Sequence, residues 1–248
     1  MMPDILRQQF LLHARLAAFQ RRIEKASKRV GDWCDKISRG YVAFSAGKDS
    51  TCILALVREQ APPTLPAVYF DAQCAFPEVE ELLAQTPQLL KFPADEPFLA
   101  TLQRCGLSGQ GVEQETMRTT VYGPITRLIA EYGFDGVCYG LRAEESRARA
   151  LHAYRRGAIF QYKRDGLWAC QPIWDWTYMD VWAFIVSRNL PYCDTYDRLW
   201  DAPREDQRIS YWAGETKRRW GRYAWLKKNY PTLWNQLAEA IPEVRAYV

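Results

Sequence analysis

Six consecutive residues, Ser45-Ala46-Gly47-Lys48-Asp49-Ser50, carry the densest chemistry in this 248-residue chain. They follow the apolar run Tyr41-Val42-Ala43-Phe44, which suits a buried strand, and they precede a helical pattern beginning at Asp49. A small-residue turn between a strand and a helix exposes backbone N–H groups at the positive end of the helix dipole, where they can cradle phosphate oxygens. Gly47 lets the backbone approach an anion, Ser45 and Ser50 add hydroxyl donors, and Lys48 adds charge. The loop is not a Walker A motif, because Val42 stands where the first glycine would be required. A second cluster follows another apolar run, Gly136-Val137-Cys138-Tyr139-Gly140, and supplies Arg142 and Arg147 as partners for phosphate or sulfate oxygens. Glu144, Glu145 and Arg149 read equally well as an ion-pair ladder on a helix surface.

The loop Ser45-Ala46-Gly47-Lys48-Asp49-Ser50 resembles the SGGKDS signature of PP-loop ATP pyrophosphatases, in the branch that contains phosphoadenylylsulfate (PAPS) reductases. Ala46 replaces a glycine, a change expected to be harmless at negative φ. Three further segments are similar to the same branch, in order. Tyr69-Phe70-Asp71 with Phe76-Pro77-Glu78 resembles its DTG-x-x-F-P-E segment, with Ala72-Gln73 in place of Thr-Gly. Gly140 to Ser146 resembles G-x-R-x-x-E-S, with Arg147 and Arg149 close behind, and Pro172-Ile173-Trp174-Asp175-Trp176 with Asp180-Val181-Trp182 resembles P-I-x-x-W-x-x-x-D-V-W. The resemblance spans about residues 40 to 197. It implies that ATP and Mg²⁺ bind on Ser45–Ser50, with Phe70, Asp71, Gly140, Arg142 and Arg147 around the nucleotide. It further implies Lys48, Asp49 and Arg142 as catalytic residues and Asp49 as the magnesium ligand. For Asp71, a contact to nucleotide or metal competes with a plain strand-end cap.

PAPS reductases resemble one another in a C-terminal segment bearing a nucleophilic cysteine, and this chain has no cysteine after Cys193. The expectation therefore moves to ATP turnover to AMP and pyrophosphate, activating an acceptor for sulfur incorporation. DNA phosphorothioation ATP pyrophosphatases of the SspD and DndC kind resemble the chain in this respect. A cysteine desulfurase as sulfur donor follows from that resemblance, and Cys74 or Cys138 would be the carrier if a persulfide forms here. A PAPS reductase-like sulfonucleotide enzyme is the alternative, and a non-catalytic nucleotide-sensing, DNA-binding subunit a second.

These residues need a frame, and strands alternating with helices predict an α/β fold, a doubly wound parallel sheet. Residues 1–197 form the expected nucleotide-binding domain, with 198–248 a helical, basic-aromatic extension packed on it. Ile5, Leu12, Leu16, Phe19, Ile23, Ala26 and Val30 fall on one stripe of a single long helix over residues 4–30, which serves either the main sheet or a homodimer partner. Leu65–Phe70 and Leu89–Phe92 read as strands, Gln103–Glu115 as a loop, and Thr120–Tyr132 as a helix. Asp165-Gly166 turns a β-hairpin, and Thr177 caps a further helix.

Seven scattered cysteines, with no CxxC and only two histidines, argue for reduced thiols in a cytoplasmic chain without zinc or an iron–sulfur cluster. No apolar run approaches the roughly 20 residues that span a bilayer, and no signal-peptide pattern opens the chain. Nine Lys/Arg against four Asp/Glu occupy Met1–Gly40, and the same ratio recurs over Arg198–Tyr230, suggesting a polyanionic partner. The interleaved Trp, Tyr, Arg and Lys of the extension suit DNA, while Trp212, Trp220 and Trp225 equally suit packing against the domain.

Overall fold

The computed structural model describes residues 2–61, 64–107, 111–198, 209 and 222–248. Short β-branched and aromatic runs form a six-stranded, mostly parallel sheet within a mixed α/β fold. Its strands are β1 (Gly40–Ala43), β2 (Ala67–Asp71), β3 (Leu89–Pro93), β4 (Gly136–Cys138), β5 (Ile159–Gln161) and β6 (Trp168–Cys170), in the order β3-β2-β1-β4-β6-β5. β1 pairs in parallel with β2 and with β4, and β4 with β6. β5 runs antiparallel on β6, closing the hairpin read from Asp165-Gly166. The central strands β1, β2 and β4 are buried on both faces, which explains why their runs are continuously apolar rather than alternating.

The chain divides into two compact units. The first comprises Met1–Tyr69, Leu82–Leu90 and Ile129–Cys193. In it, helices α1 (Asp4–Ala14), α2 (Ala17–Cys34), α3 (Lys48–Gln60) and, later in the chain, the helix Tyr178–Ser187 pack together. The single helix expected over 4–30 is two: Leu16 takes an extended backbone (ψ 128°) between α1 and α2. The break lets α1 bury Phe10 and Ala14 while α2 buries Phe19, Ala26, Val30 and Trp33. Ile5, Leu12 and Leu16, expected on the buried stripe, are exposed instead.

Thr177 caps Tyr178–Ser187 as expected, its hydroxyl accepting from the Asp180 N–H. Asp180 is fully buried, with His13 Nε2 at 2.8 Å on one oxygen and Arg22 Nη1 at 2.5 Å on the other. One side chain from each side of the α1–α2 break thus converges on this carboxylate. Arg29 of α2 grips Asp175 with two hydrogen bonds, 2.6 and 2.9 Å, fixing the segment after β6.

The second unit comprises Phe70–Glu81, Lys91–Leu128 and Asp194–Val248, and α4 (Pro77–Ala84) begins in it. The stretch expected as a loop, 103–115, contains the end of α5 (Phe98–Cys105) and part of α6 (Val112–Met117). Gly106 ends α5 and Gly111 starts α6, both at positive φ. A π-helical turn, Arg118–Tyr122, leads into α7 (Gly123–Tyr132), which places the expected 120–132 helix with a wider first turn. The described part of the extension forms helices Arg222–Asn229 and Pro231–Ala240. Glu78, nearly buried, accepts from Tyr230 Oη at 3.1 Å and Thr195 Oγ1 at 3.3 Å and pairs with Arg198. Trp225 is buried edge-on to Phe76, a packing role, while Trp212 and Trp220 lie outside the described residues. Among the described residues no helix is long and apolar enough to cross a membrane.

Candidate active site

The turn between β1 and α3 is tied to itself. Ser50 Oγ donates to the Gly47 carbonyl at 2.9 Å and accepts from the Ser45 N–H at 3.2 Å, while the Ser45 and Ser50 hydroxyls lie 3.3 Å apart. Gly47 occupies the N-cap of α3 and has no side chain with which to cap it. The amino end of a 13-residue helix is thereby offered to an anion. Ala46 sits at φ 56°, in the left-handed region, so the expectation of a negative φ there is overturned. Closing the turn over one residue demands that conformation, which is why glycine suits the position.

Lys48, the first residue of α3, is only 1% exposed. A buried ammonium needs a counter-charge, and Asp49 supplies it at 3.0 Å. The other Asp49 oxygen accepts from Arg142 Nε at 2.6 Å. Burial pushes the Asp49 carboxyl upward, but Lys48 and Arg142 outweigh it by charge and hydrogen bonds, so it titrates below the usual aspartate range. Arg142 is itself 2% exposed. Its Nη1 bonds Glu144 and, at 3.3 Å, the Trp176 carbonyl. Glu144 also accepts from the Tyr178 N–H at 2.7 Å. Two of the guanidinium nitrogens are therefore committed to the protein, and Nη2 is left for a ligand.

Gly140 explains how β4 and α3 come so close. A Cβ there would stand 3.0 Å from the Asp49 carbonyl carbon and 3.1 Å from its Cβ. The glycine makes room for Asp49 to reach Arg142. Arg147 begins helix α8 (Arg147–Arg156), is exposed, and has no partner among the described residues. Arg149 pairs with Glu145 four residues earlier, the ladder read from the sequence. Phe70 and Asp71 belong to the second unit. Phe70 lies edge-on to Phe92, and Asp71 caps its own strand end through the Gln73 N–H at 2.9 Å and Lys91 at 3.5 Å.

The structure thus assembles Ser45, Ala46, Gly47, Lys48, Asp49, Ser50, Gly140 and Arg142 at the carboxyl edge of β1 and β4. That edge is where open parallel sheets bind their ligands. Two contributors escaped sequence reasoning, the Trp176 carbonyl and Glu144 as the orienter of Arg142. The acid two residues beyond the arginine was a visible signal for the second. Asp49, the expected magnesium ligand, has both oxygens engaged by cations, and no group of three His, Cys, Asp or Glu able to hold a metal exists among the described residues. Cys74 and Cys138 are buried, and burial drives both thiols well above their ordinary range.

A parallel sheet with an uncapped helix end over a buried lysine defines a nucleotide-binding α/β protein. Residues 39–202 match the phosphoadenosine phosphosulfate reductase domain, and the chain belongs to that family of nucleotide-utilising enzymes. It is 24% identical over 204 residues to the phosphoadenosine 5'-phosphosulfate reductase of Gloeobacter violaceus, covering 74% of this chain and 81% of the relative. It is also 24% identical over 227 residues to sulfate adenylyltransferase subunit 2 of Xylella fastidiosa, covering 74% and 71%. The fold is similar to that of the Candida auris PAPS reductase in its phosphate complex, with a TM-score of 0.55, 17% identity, and coverage of 79% and 92%.

Proposed function

We propose that the chain binds ATP on Ser45–Ser50 and acts at the α-phosphate, releasing pyrophosphate and adenylylating an acceptor for sulfur incorporation. The observation that carries this reading is the buried relay Lys48–Asp49–Arg142 at the amino end of α3. Asp49 and Glu144 balance the two cations and fix them in place, so Lys48 and Arg142 stand as preorganised N–H donors where phosphate charge would develop, in a largely dry setting. An acceptor oxygen attacks the α-phosphorus in line and the bond to the β-phosphate oxygen breaks, releasing pyrophosphate; sulfide-level sulfur, from a donor persulfide reduced by a thiol, then displaces AMP, which leaves with the acceptor oxygen. Catalysis rests on charge and positioning by the loop amides, Lys48 and Arg142 Nη2, with Asp49 holding both cations in place. The sulfate adenylyltransferase relatives support adenylyl chemistry.

The acceptor we assign is the DNA backbone, as in phosphorothioate modification. The buried state of Cys74 and Cys138 favours a separate sulfur donor, a cysteine desulfurase, over a persulfide on this chain. A second copy of the chain is the proposed partner of the exposed α1 stripe. The family match favours a second reading, a PAPS reductase-like sulfonucleotide enzyme.

Incubation with Mg²⁺ and α- or γ-labelled ATP, followed by product identification, tests the first reading. AMP and pyrophosphate are expected from the wild type and neither from Lys48→Ala or Asp49→Ala. ADP and inorganic phosphate would refute it. No turnover, with PAPS bound more tightly than ATP, would establish the second reading. ATP bound but never turned over, even with partner proteins present, would mark a nucleotide-sensing subunit.

A further inference from the structure

Between Arg147 and Arg164 the chain carries six Lys/Arg and no Asp/Glu. This run forms α8, β5 and the turn after it, all within the first unit. Arg147, Leu151 and Arg155 lie on one ridge of α8 at four-residue spacing, with Tyr154 beside them, and all four are exposed. Tyr154 is 76% exposed although its ring edge rests on Trp174, centroids 5.5 Å apart. An aromatic ring held by another ring yet open to solvent is a stacking platform. Lys163 and Arg164 add charge at the hairpin turn, although Arg164 leans on Asp165.

The opposite face of α8 lines a pocket of about 270 Å³, whose walls include Tyr139, Arg142, Arg149, His152, Tyr162 and Gln171. Tyr139 and Tyr162 share a hydrogen bond of 2.8 Å, and Gln171 Nε2 donates to Tyr139 Oη at 3.0 Å. The volume lies just below the usual range for drug-sized ligands and suits one planar, polar ring. The pocket shares Arg142 with the candidate active site. One helix therefore presents cations and a stacking ring outward and a ring-sized slot inward, next to the residue that orients Asp49.

We propose that α8 and the following turn dock a single-stranded nucleic acid, its phosphates on Arg147, Arg155, Arg156 and Lys163, one base on Tyr154 and a neighbouring base in the slot. This rests on the proposed function and names the surface by which the acceptor reaches the activated nucleotide. It assigns that role to α8 rather than to the C-terminal extension. An unpaired strand fits better than an acidic polypeptide, because the slot and the platform both take planar rings.

Fluorescence anisotropy of a labelled 12-nucleotide strand, as DNA and as RNA, against the full-length protein over a salt series tests the proposal. The wild type binds at least one of the two strands, and the preferred sugar identifies the source. Arg155→Ala/Arg156→Ala weakens binding at least fivefold and flattens the slope of log affinity against log salt by about 1.4, the value for two lost phosphate contacts on a single strand. Tyr154→Ala weakens it at least fivefold with the salt slope unchanged. All variants keep the wild-type circular dichroism and the wild-type rate of ATP turnover without nucleic acid. Three outcomes overturn the proposal: no strand bound by the wild type, full affinity in the variants, or a polyglutamate of matching length that competes as well as the strand. The proposed function fails separately, through absent AMP and pyrophosphate, while the anisotropy still reports on α8.

Discussion

Ala46 carries a buried methyl on a left-handed backbone, and the magnitudes on either side are close. The left-handed conformation costs a non-glycine residue about 1–2 kcal/mol. Burying the methyl returns about 0.8 kcal/mol, and the smaller unfolded-state freedom of alanine a further 0.4–1 kcal/mol or about that. Ala46→Gly is therefore expected to shift stability by less than about 1 kcal/mol and to keep ATP affinity, as denaturant melts and equilibrium dialysis would show. Ala46→Val adds β-branching at positive φ and overpacks a filled site, at a cost of about 1–3 kcal/mol beyond the alanine. A large loss in the glycine variant would mean that the methyl itself shapes the loop. The letters Ser45 to Ser50 announced an anion loop because strand, small turn and helix start are local features. They did not announce that Lys48 would be buried on Asp49, because Arg142, the second cation on that carboxylate, arrives from 93 residues away along the chain.

Asp180 shows the same limit at the level of elements. Thr177 as a cap was legible from a hydroxyl preceding an apolar run, but His13 and Arg22 were not, since they come from helices 158 and 167 residues distant. Nor was the break at Leu16, because an apolar stripe continues through a kink when both halves bury a face. Burial alone would raise the Asp180 carboxyl, yet His13, the Thr177 N–H and hydroxyl, and Arg22 together lower it. A lowered value in the folded state means stability that is complete above the unfolded aspartate value, about 3.9, and lost as pH falls through the folded one. Melting temperature should thus be insensitive to this group from pH 7 to about 5 and fall below about pH 4, more steeply in the wild type than in Asp180→Asn. At pH 7, Asp180→Ala should cost about 2–3 kcal/mol, the low end for a broken buried pair, since half-exposed Arg22 can turn to water. Equal acid sensitivity in wild type and Asp180→Asn would remove the carboxylate from the account of how α1 and α2 are held.

For the molecule as a whole, the parallel sheet was legible because its strands are continuous apolar runs between helical patterns. The grouping of residues 70–81, 91–128 and 194–248 into one unit was not, because it depends on Glu78 meeting Tyr230 and Thr195 from far down the chain. The break at Leu16 also leaves Ile5, Leu12 and Leu16 at 75, 61 and 51% exposure, the first two on α1 and the third in the break that follows it. Apolar side chains beside a helix that already buries Phe10 and Ala14 have no packing use among the described residues. A second copy running antiparallel would meet them with its own Ile5, Leu12 and Leu16, and would set Asp4 near the partner's Arg15 at both ends. Three side chains per copy make a seam well short of the roughly 1,600 Å² of a standard interface, so the dimer should be concentration-dependent rather than permanent. Sedimentation velocity over a hundredfold concentration range should show a monomer–dimer equilibrium for the wild type. Leu12→Glu/Leu16→Glu should stay monomeric with an unchanged melting temperature, because both residues are solvent-facing in the single chain. A wild type that remains monomeric throughout would leave the stripe to a different protein and end the homodimer assignment.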